Sequence, residues 1–280
     1  MIELNKEQLK QLQKKTLKMG VFFAEYCKEN GLLCYLCGGG CIGAVRHGGF
    51  IPWDDDLDFF MPRADYEKLK KLWKDHERYA LLWPTEQYND HNMFMTLRDK
   101  NTTLVKDYQK DLDIIHGVCI DIFPLDGCPS PLLYRLDQLF WGSVYQLCCA
   151  QMIPVNHGRL ISLIGSILLK VASSPKIRYH IWKYAEKKMS RFNIEDCEYI
   201  TEICAGPKYM KNRYPAKAFS AAKNITFEKE LLPIPVGYDT YLHIAFGDYK
   251  TLPLEEQRRP SHSLTFIDLE KPYSYYRKGR

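Results

Sequence analysis

Apolar side chains recur every three or four positions near the start of the chain: Leu9, Leu12, Met19, Phe23 and Tyr26, with Thr16 continuing the stripe. This period predicts an amphipathic helix from about Lys6 to Glu29, ended by Asn30-Gly31. The run LLCYLC that follows is apolar throughout, as a short buried strand is, and it stops at Gly38. A brief helix is expected over Cys41 to Arg46, broken by Gly48-Gly49, after which Pro52 keeps the chain extended. From Asp56 to Met61 the period changes to two. Leu57 and Phe59 point one way and Asp56 and Asp58 the other, until Pro62 ends the strand.

Further along, Ala64 to Asp75 reads as a helix. Short strands are expected near Tyr79–Trp83, Met93–Arg98, Thr102–Lys106 and Val118–Phe123. Residues 131–193 read as a mostly helical insertion. It would divide a catalytic core, residues 1–130, from a C-terminal part, residues 194–280, that completes the core. A strand at Asn224–Phe227 and a helix near Tyr238–Ala245 belong to that last part. The alternation of strands and helices predicts an α/β fold: a small mixed sheet with surrounding helices.

Composition narrows the classes. At 280 residues, 46% hydrophobic and 26% charged, the chain has the make-up of a globular protein with a sizeable core. The net charge of +5 suits an anionic substrate or loose attraction to an anionic membrane face. It falls short of the clustered basic stripe that nucleic-acid binding needs, so no nucleic-acid partner is expected. The first residues, MIELNKEQLKQLQKKTLKMG, are charged and helical rather than a secretory signal, and a reducing cytoplasmic setting is expected. The ten cysteines, including the Cys34/Cys37 and Cys148/Cys149 pairs, then read as small buried hydrophobes. No run reaches the roughly 18 apolar residues needed to span a bilayer. The longest, Leu160 to Ala172, is interrupted by Lys170 and is expected as a buried helix. Its alternative is peripheral contact, a helix lying on a membrane, since Arg159, Lys170, Lys176 and Arg178 flank it.

The stretch GGGCIGAVRHGGFIPWDDDLDFFMPR, from Gly38 to Arg63, raises a chemical question, because like charges repel and glycine weakens regular structure. In a strand, Asp56 and Asp58 have α-carbons roughly 6.5–7 Å apart on one face, so both reach one divalent cation. Hard oxygen ligands suit Mg²⁺ or Mn²⁺. Gly38, Gly39 and Gly40 let backbone N–H groups approach phosphate oxygens, and a helix starting just beyond them presents its positive end. Arg46 and His47, between the glycines and the acids, are candidates for phosphate contact. Their alternatives are a structural ion pair for Arg46 and a turn cap for His47. Asp54 and Asp55 either orient the site or form a solvated acidic turn. Asp121 stands alone in the apolar run VCIDIF and needs a partner or a function there. It could be a third metal ligand, a general base, or one half of a salt bridge to Arg46 or Arg98. Arg98 itself is read as a phosphate contact or as a local partner of Asp99. Among the aromatic residues, Trp53, Tyr66, Trp83, Tyr249 and Tyr273 are candidates to hold a quaternary ammonium.

In order along the chain, GGGCIGAVRHGGFIPWDDDLDFFMPRADYEKL, LRDKNTT (Leu97–Thr103), CIDIFPLDG (Cys119–Gly127) and FGDYKTLP (Phe246–Pro253), followed by Arg258 and His262, resemble the motifs of the LicD family. That family resembles nucleotidyltransferases in fold and includes phosphocholine transferases and fukutin-related proteins. The resemblance runs from about Leu17 to His262 and is weakest over residues 131–200. It implies a nucleotidyltransferase-like fold and a transferase that takes a phospho-alcohol, typically phosphocholine, from CDP-choline or another CDP-alcohol. The acceptor would be a hydroxyl of a glycan, a polysaccharide, teichoic acid or lipopolysaccharide precursor, and CMP would leave. It further implies Mg²⁺ or Mn²⁺ on Asp56 and Asp58, Gly38–Gly39 facing the donor, and Asp121 as third acid. Cys37 and Cys41 flank the glycines where family members often carry Ser or Thr. Three other classes share these features: a nucleotidyltransferase attacking the α-phosphate of an NTP, a nucleotide-sugar glycosyltransferase, and a non-catalytic protein bound to glycan or membrane.

Overall fold

Asn5 sets the start of the first helix, α1 (Lys6–Glu29), through a capping box. Its Oδ1 accepts from the Gln8 N–H at 2.9 Å, and Gln8 Oε1 accepts from the Asn5 N–H at 3.1 Å. Leu9, Leu12, Thr16, Met19 and Phe23 form its buried face, the stripe expected from the period. The chain continues through β1 (Tyr35–Leu36), α2 (Gly38–Arg46), β2 (Asp58–Pro62), α3 (Arg63–Leu72), β3 (Tyr79–Leu82), β4 (Met95–Asp99), β5 (Thr103–Lys106) and β6 (Cys119–Cys128). Then come α4 (Leu132–Ala150), α5 (Pro175–Met189), β7 (Tyr199–Thr201), β8 (Tyr214–Pro215), β9 (Ala222–Phe227), β10 (Glu230–Pro235), α6 (Tyr238–Phe246), β11 (Leu264–Asp268) and α7 (Tyr273–Arg277). This computed structural model describes residues 2–151, 174–260 and 262–277, so the apolar run Leu160–Ala172 lies outside the described residues. Among the described residues no helix is long and apolar enough to cross a membrane.

The architecture is α/β and divides into two compact units. The first comprises Met1–Leu82, Thr96–Phe123 and Lys217–Arg280. Its strands run in the order β1-β2-β6-β4-β3, with antiparallel pairs at Tyr35↔Phe60 and Leu81↔Leu97. α1 packs on this sheet through Phe23, whose ring lies 5.1 Å from that of Phe59. β5 pairs antiparallel with β11, placing Lys106 opposite Leu264, and β9 and β10 form a hairpin. Two starts differ from expectation. α2 begins at Gly38, three residues before Cys41. β2 begins at Asp58, leaving Asp56 in the preceding loop.

The second unit comprises Trp83–Met95 and Pro124–Ala216, and holds the helical region expected over residues 131–193. α4 and α5 pack around Tyr145, Cys149, Trp182, Ala185 and Met189, and β7 pairs with the end of β6 at Asp126↔Thr201 and with β8 at Ile200↔Tyr214. The buried Arg135 donates to Gln138 Oε1 at 2.7 Å, Thr201 Oγ1 at 3.1 Å and the Met210 carbonyl at 2.6 Å. These bonds satisfy a charge that is otherwise costly to bury. All ten cysteines are free thiols, and all but Cys197 are buried, as small hydrophobes are.

Candidate active site

Neighbouring strands β2 and β6 each deliver a carboxylate to one small cavity, Asp58 from the start of β2 and Asp121 from β6. Asp55 and Asp56 enter it from the loop before β2, Lys106 from the end of β5, and His262 from just before β11. The cavity measures about 10 Å³, room for about one water-sized species. Two supports fix these groups. Gln13 of α1 donates to the carbonyls of Asp54, at 2.8 Å, and Ile51, at 3.4 Å, holding the acidic loop. The Lys106↔Leu264 register of β5 and β11 brings His262 alongside.

Within the cavity, the Lys106 ammonium lies 3.4 Å from Asp121 Oδ2, with the two side chains only 7% and 10% exposed. The other oxygen, Asp121 Oδ1, is buried without a hydrogen-bond partner. His262 Nδ1 lies 3.3 Å from Asp55 Oδ1 and 3.4 Å from Asp56 Oδ2. Burial, then the charges of Asp56 and Asp121, hold the Asp58 carboxyl well above the usual carboxylate range. Burial also raises Asp56, against the pull of His262, and pushes Asp54 up to about 8, with Asp56 and Asp55 adding to it. For Lys106, burial works against the charge, but Asp121 and weaker neighbours reverse this and leave it well above the ordinary lysine range. Asp55, Asp56, Asp58 and Asp121 thus share one lysine and one histidine. An orphaned carboxylate oxygen, a cavity of one-ion size and hard oxygen donors fit a divalent cation such as Mg²⁺ or Mn²⁺. Among the described residues, Asp55, Asp56 and His262 also converge closely enough to ligate one ion.

The glycines meet the acids directly. Gly38 takes a left-handed φ of +52°, and its N–H donates to the Tyr241 hydroxyl at 2.9 Å. A Cβ at Gly39 would stand 2.1 Å from Asp54 Oδ2, so only glycine admits that carboxylate against the start of α2. Cys37, the residue before α2, makes no side-chain cap, and the first N–H groups of a helix have no partner within it.

Other expected residues fall elsewhere. Arg46 Nη1 donates to the carbonyls of Tyr249, at 2.7 Å, and Thr251, at 3.3 Å, tying α2 to the FGDYKTLP segment. His47 packs edge-on to Trp53 at 6.4 Å, and the Arg258 guanidinium lies 5.6 Å above the same ring. Arg98 is 1% exposed and donates to Thr96 Oγ1 at 3.1 Å and the Ile115 carbonyl at 3.0 Å. Three expectations need correction. Asp121 has Lys106 beside it, and the guanidinium of Arg46 goes to backbone carbonyls instead. Asp99 receives Arg78, at 2.7 Å. Asp55 is not part of a solvated turn: it is 6% exposed. Tyr66 and Tyr249 are buried, which leaves Trp53 as the aromatic candidate next to the acidic run. Lys106 was missed. Its signal was the two-residue period of β5, which puts Leu104 and Lys106 on one face, so a charged group shares the side of an apolar one.

Residues 31–127 match the family described as LicD/FKTN/FKRP, nucleotidyltransferase domain. That span includes Gly38, Gly39, Asp56, Asp58, Lys106 and Asp121. The chain is also 26% identical, over 274 residues, to the lipopolysaccharide cholinephosphotransferase LicD of Haemophilus influenzae (strain ATCC 51907 / DSM 11121 / KW20 / Rd), covering 92% of this chain and 97% of that protein.

Proposed function

We propose that the chain, whose residues 31–127 match the LicD family model, is a phosphotransferase moving phosphocholine from CDP-choline to a hydroxyl of a glycan. The relative's name supports a lipopolysaccharide precursor as acceptor; a teichoic acid or other polysaccharide offers the same hydroxyl chemistry. Another CDP-alcohol is the alternative donor. The observation that carries the reading is Asp121 Oδ1, buried and unpartnered in a one-ion cavity with Asp56 and Asp58.

Asp56 and Asp58 would hold Mg²⁺ or Mn²⁺ beside Asp121, the third acid; when bound, the ion neutralises diphosphate charge and stabilises the departing CMP. The chain's own groups do the rest. Lys106 pairs with Asp121 Oδ2 and fixes it, leaving Oδ1 to take the proton of the acceptor hydroxyl. The hydroxyl oxygen bonds to the choline-bearing phosphorus, the bond from that phosphorus to the bridging oxygen breaks, and CMP leaves with the electron pair. At the start of α2 the Tyr241 hydroxyl holds the Gly38 N–H, and the Gly39 N–H is the backbone donor offered to the donor phosphates. Arg46 and Arg258 add positive charge suited to the donor diphosphate, with the Arg258 guanidinium lying over the Trp53 ring.

The test is transfer of choline-labelled phosphate from CDP-choline to purified lipopolysaccharide acceptor, by wild type and Asp58→Asn. Label should appear on the glycan with wild type alone. Pyrophosphate release from an NTP, or UDP release from a nucleotide sugar, with no label transferred, would overturn the reading.

A further inference from the structure

The first half of helix α4 carries its polarity inside out. It buries Arg135 and Gln138, while Leu132, Leu133, Leu136 and Phe140 are 70%, 79%, 53% and 59% exposed. At 100° per residue these four fall within about a quarter-turn of arc, so they form one face. A helix in water shows the opposite arrangement. The patch continues onto α5: Phe140 lies 5.1 Å from Trp141, and Trp141 lies 5.1 Å from Tyr184. Ile177 and Tyr184 of α5 are half exposed.

Cations rim this apolar face. Lys188 Nζ stands 5.3 Å from the Tyr184 ring, Lys183 and Lys187 are exposed beside it, and Arg191 lies 6.0 Å from the Tyr134 ring. The nearby acids are taken: Asp137 pairs with Arg191 at 3.0 Å and Glu186 with Lys183 at 2.5 Å. Leucines and a phenylalanine on one side, aromatic rings at their border and lysines beyond match the depth profile of a lipid–water interface. We propose that this α4–α5 face docks on an anionic membrane surface, with Leu132, Leu133, Leu136 and Phe140 entering the headgroup layer and Lys187 and Lys188 meeting lipid phosphates. The charge of the rim selects this occupant over a neutral one. The proposal is independent of the transfer reaction.

The experiment is co-sedimentation of the full chain with vesicles of phosphatidylcholine alone and with vesicles that also contain phosphatidylglycerol. Wild type binds the anionic vesicles and binds them less tightly as salt is raised. Lys187→Gln with Lys188→Gln weakens partitioning roughly fivefold for each charge removed. Leu133→Asp with Phe140→Asp abolishes binding while the melting temperature is retained, since both positions are exposed. Failure of wild type to bind anionic vesicles would overturn the proposal, as would equal binding by the Leu133/Phe140 variant. A wild-type dimer that this variant splits, with no lipid binding by either protein, would also overturn it and assign the face to a second copy of the chain.

Discussion

Replacing Lys106 by Met tests the electrostatic frame of the cavity. At 3.4 Å from Asp121 Oδ2, and with an effective dielectric constant of about 20, the pair's attraction is about 5 kcal/mol before desolvation is counted. Removing the lysine leaves Asp121 buried among Asp55, Asp56 and Asp58 with no ammonium. Breaking a buried pair in this way costs about 3–5 kcal/mol. At roughly 2–4 °C per kcal/mol for a chain of this size, the first unit should melt roughly 10 °C lower. Two further results follow from the same reasoning. Mn²⁺ should raise the melting temperature of Lys106→Met more than that of wild type, because the ion replaces a charge the variant lacks. Lys106→Met combined with Asp121→Asn should recover most of the loss, a coupling expected only of groups in contact. Scanning calorimetry with and without MnCl₂ reads all three. Wild-type melting of Lys106→Met, with the same Mn²⁺ response as wild type, would refute the picture of crowded carboxylates balanced by one lysine.

Two more substitutions probe separate claims. Gly39→Ala puts a methyl group 2.1 Å from Asp54 Oδ2, so that carboxylate must swing away from the start of α2; CMP release should fall at least about tenfold, and unchanged turnover would disconnect this contact from the donor site. In the second unit, burial pushes the Glu202 carboxyl up to about 7 from 4.5, although Tyr214 and Asn212 donate to it. An acid raised in the folded state contributes stability below its unfolded pKa and loses it as pH rises through the folded one. Stability should therefore drop by about 3 kcal/mol between about pH 4.5 and 7, and Glu202→Gln, followed by denaturant melts across that range, should flatten the profile.

Periodic features were legible in the sequence where one element decides its own pattern. The stripe from Leu9 to Phe23 defines α1 with both ends correct, and the solitary carboxylate in VCIDIF located a strand that reaches the cavity. Starts governed by packing were not legible. Glycine disfavours helix interiors, yet α2 begins at Gly38, because that segment must lie close to Asp54 and a side chain would collide. Prolines at 233 and 235 disguise β10, and β11 is a short segment whose partner, β5, lies about 160 residues earlier. Lys106 escaped for the same reason: its role depends on meeting Asp121, a contact made between strands. The acids at 56, 58 and 121 were readable because uncompensated charge in apolar surroundings stands out in the sequence. The lysine that accompanies them resembles any strand-end lysine.

The central claim, that these carboxylates serve transfer from a CDP-activated alcohol, is tested most directly by CMP release from CDP-choline with Mg²⁺ or Mn²⁺. Wild type, Asp56→Asn, Asp58→Asn and Asp121→Asn would be compared in the presence of lipopolysaccharide acceptor. The account predicts metal-dependent CMP from wild type and a loss of at least about a hundredfold in each variant. CMP release that persists in all three variants, or pyrophosphate from an NTP in its place, would contradict it.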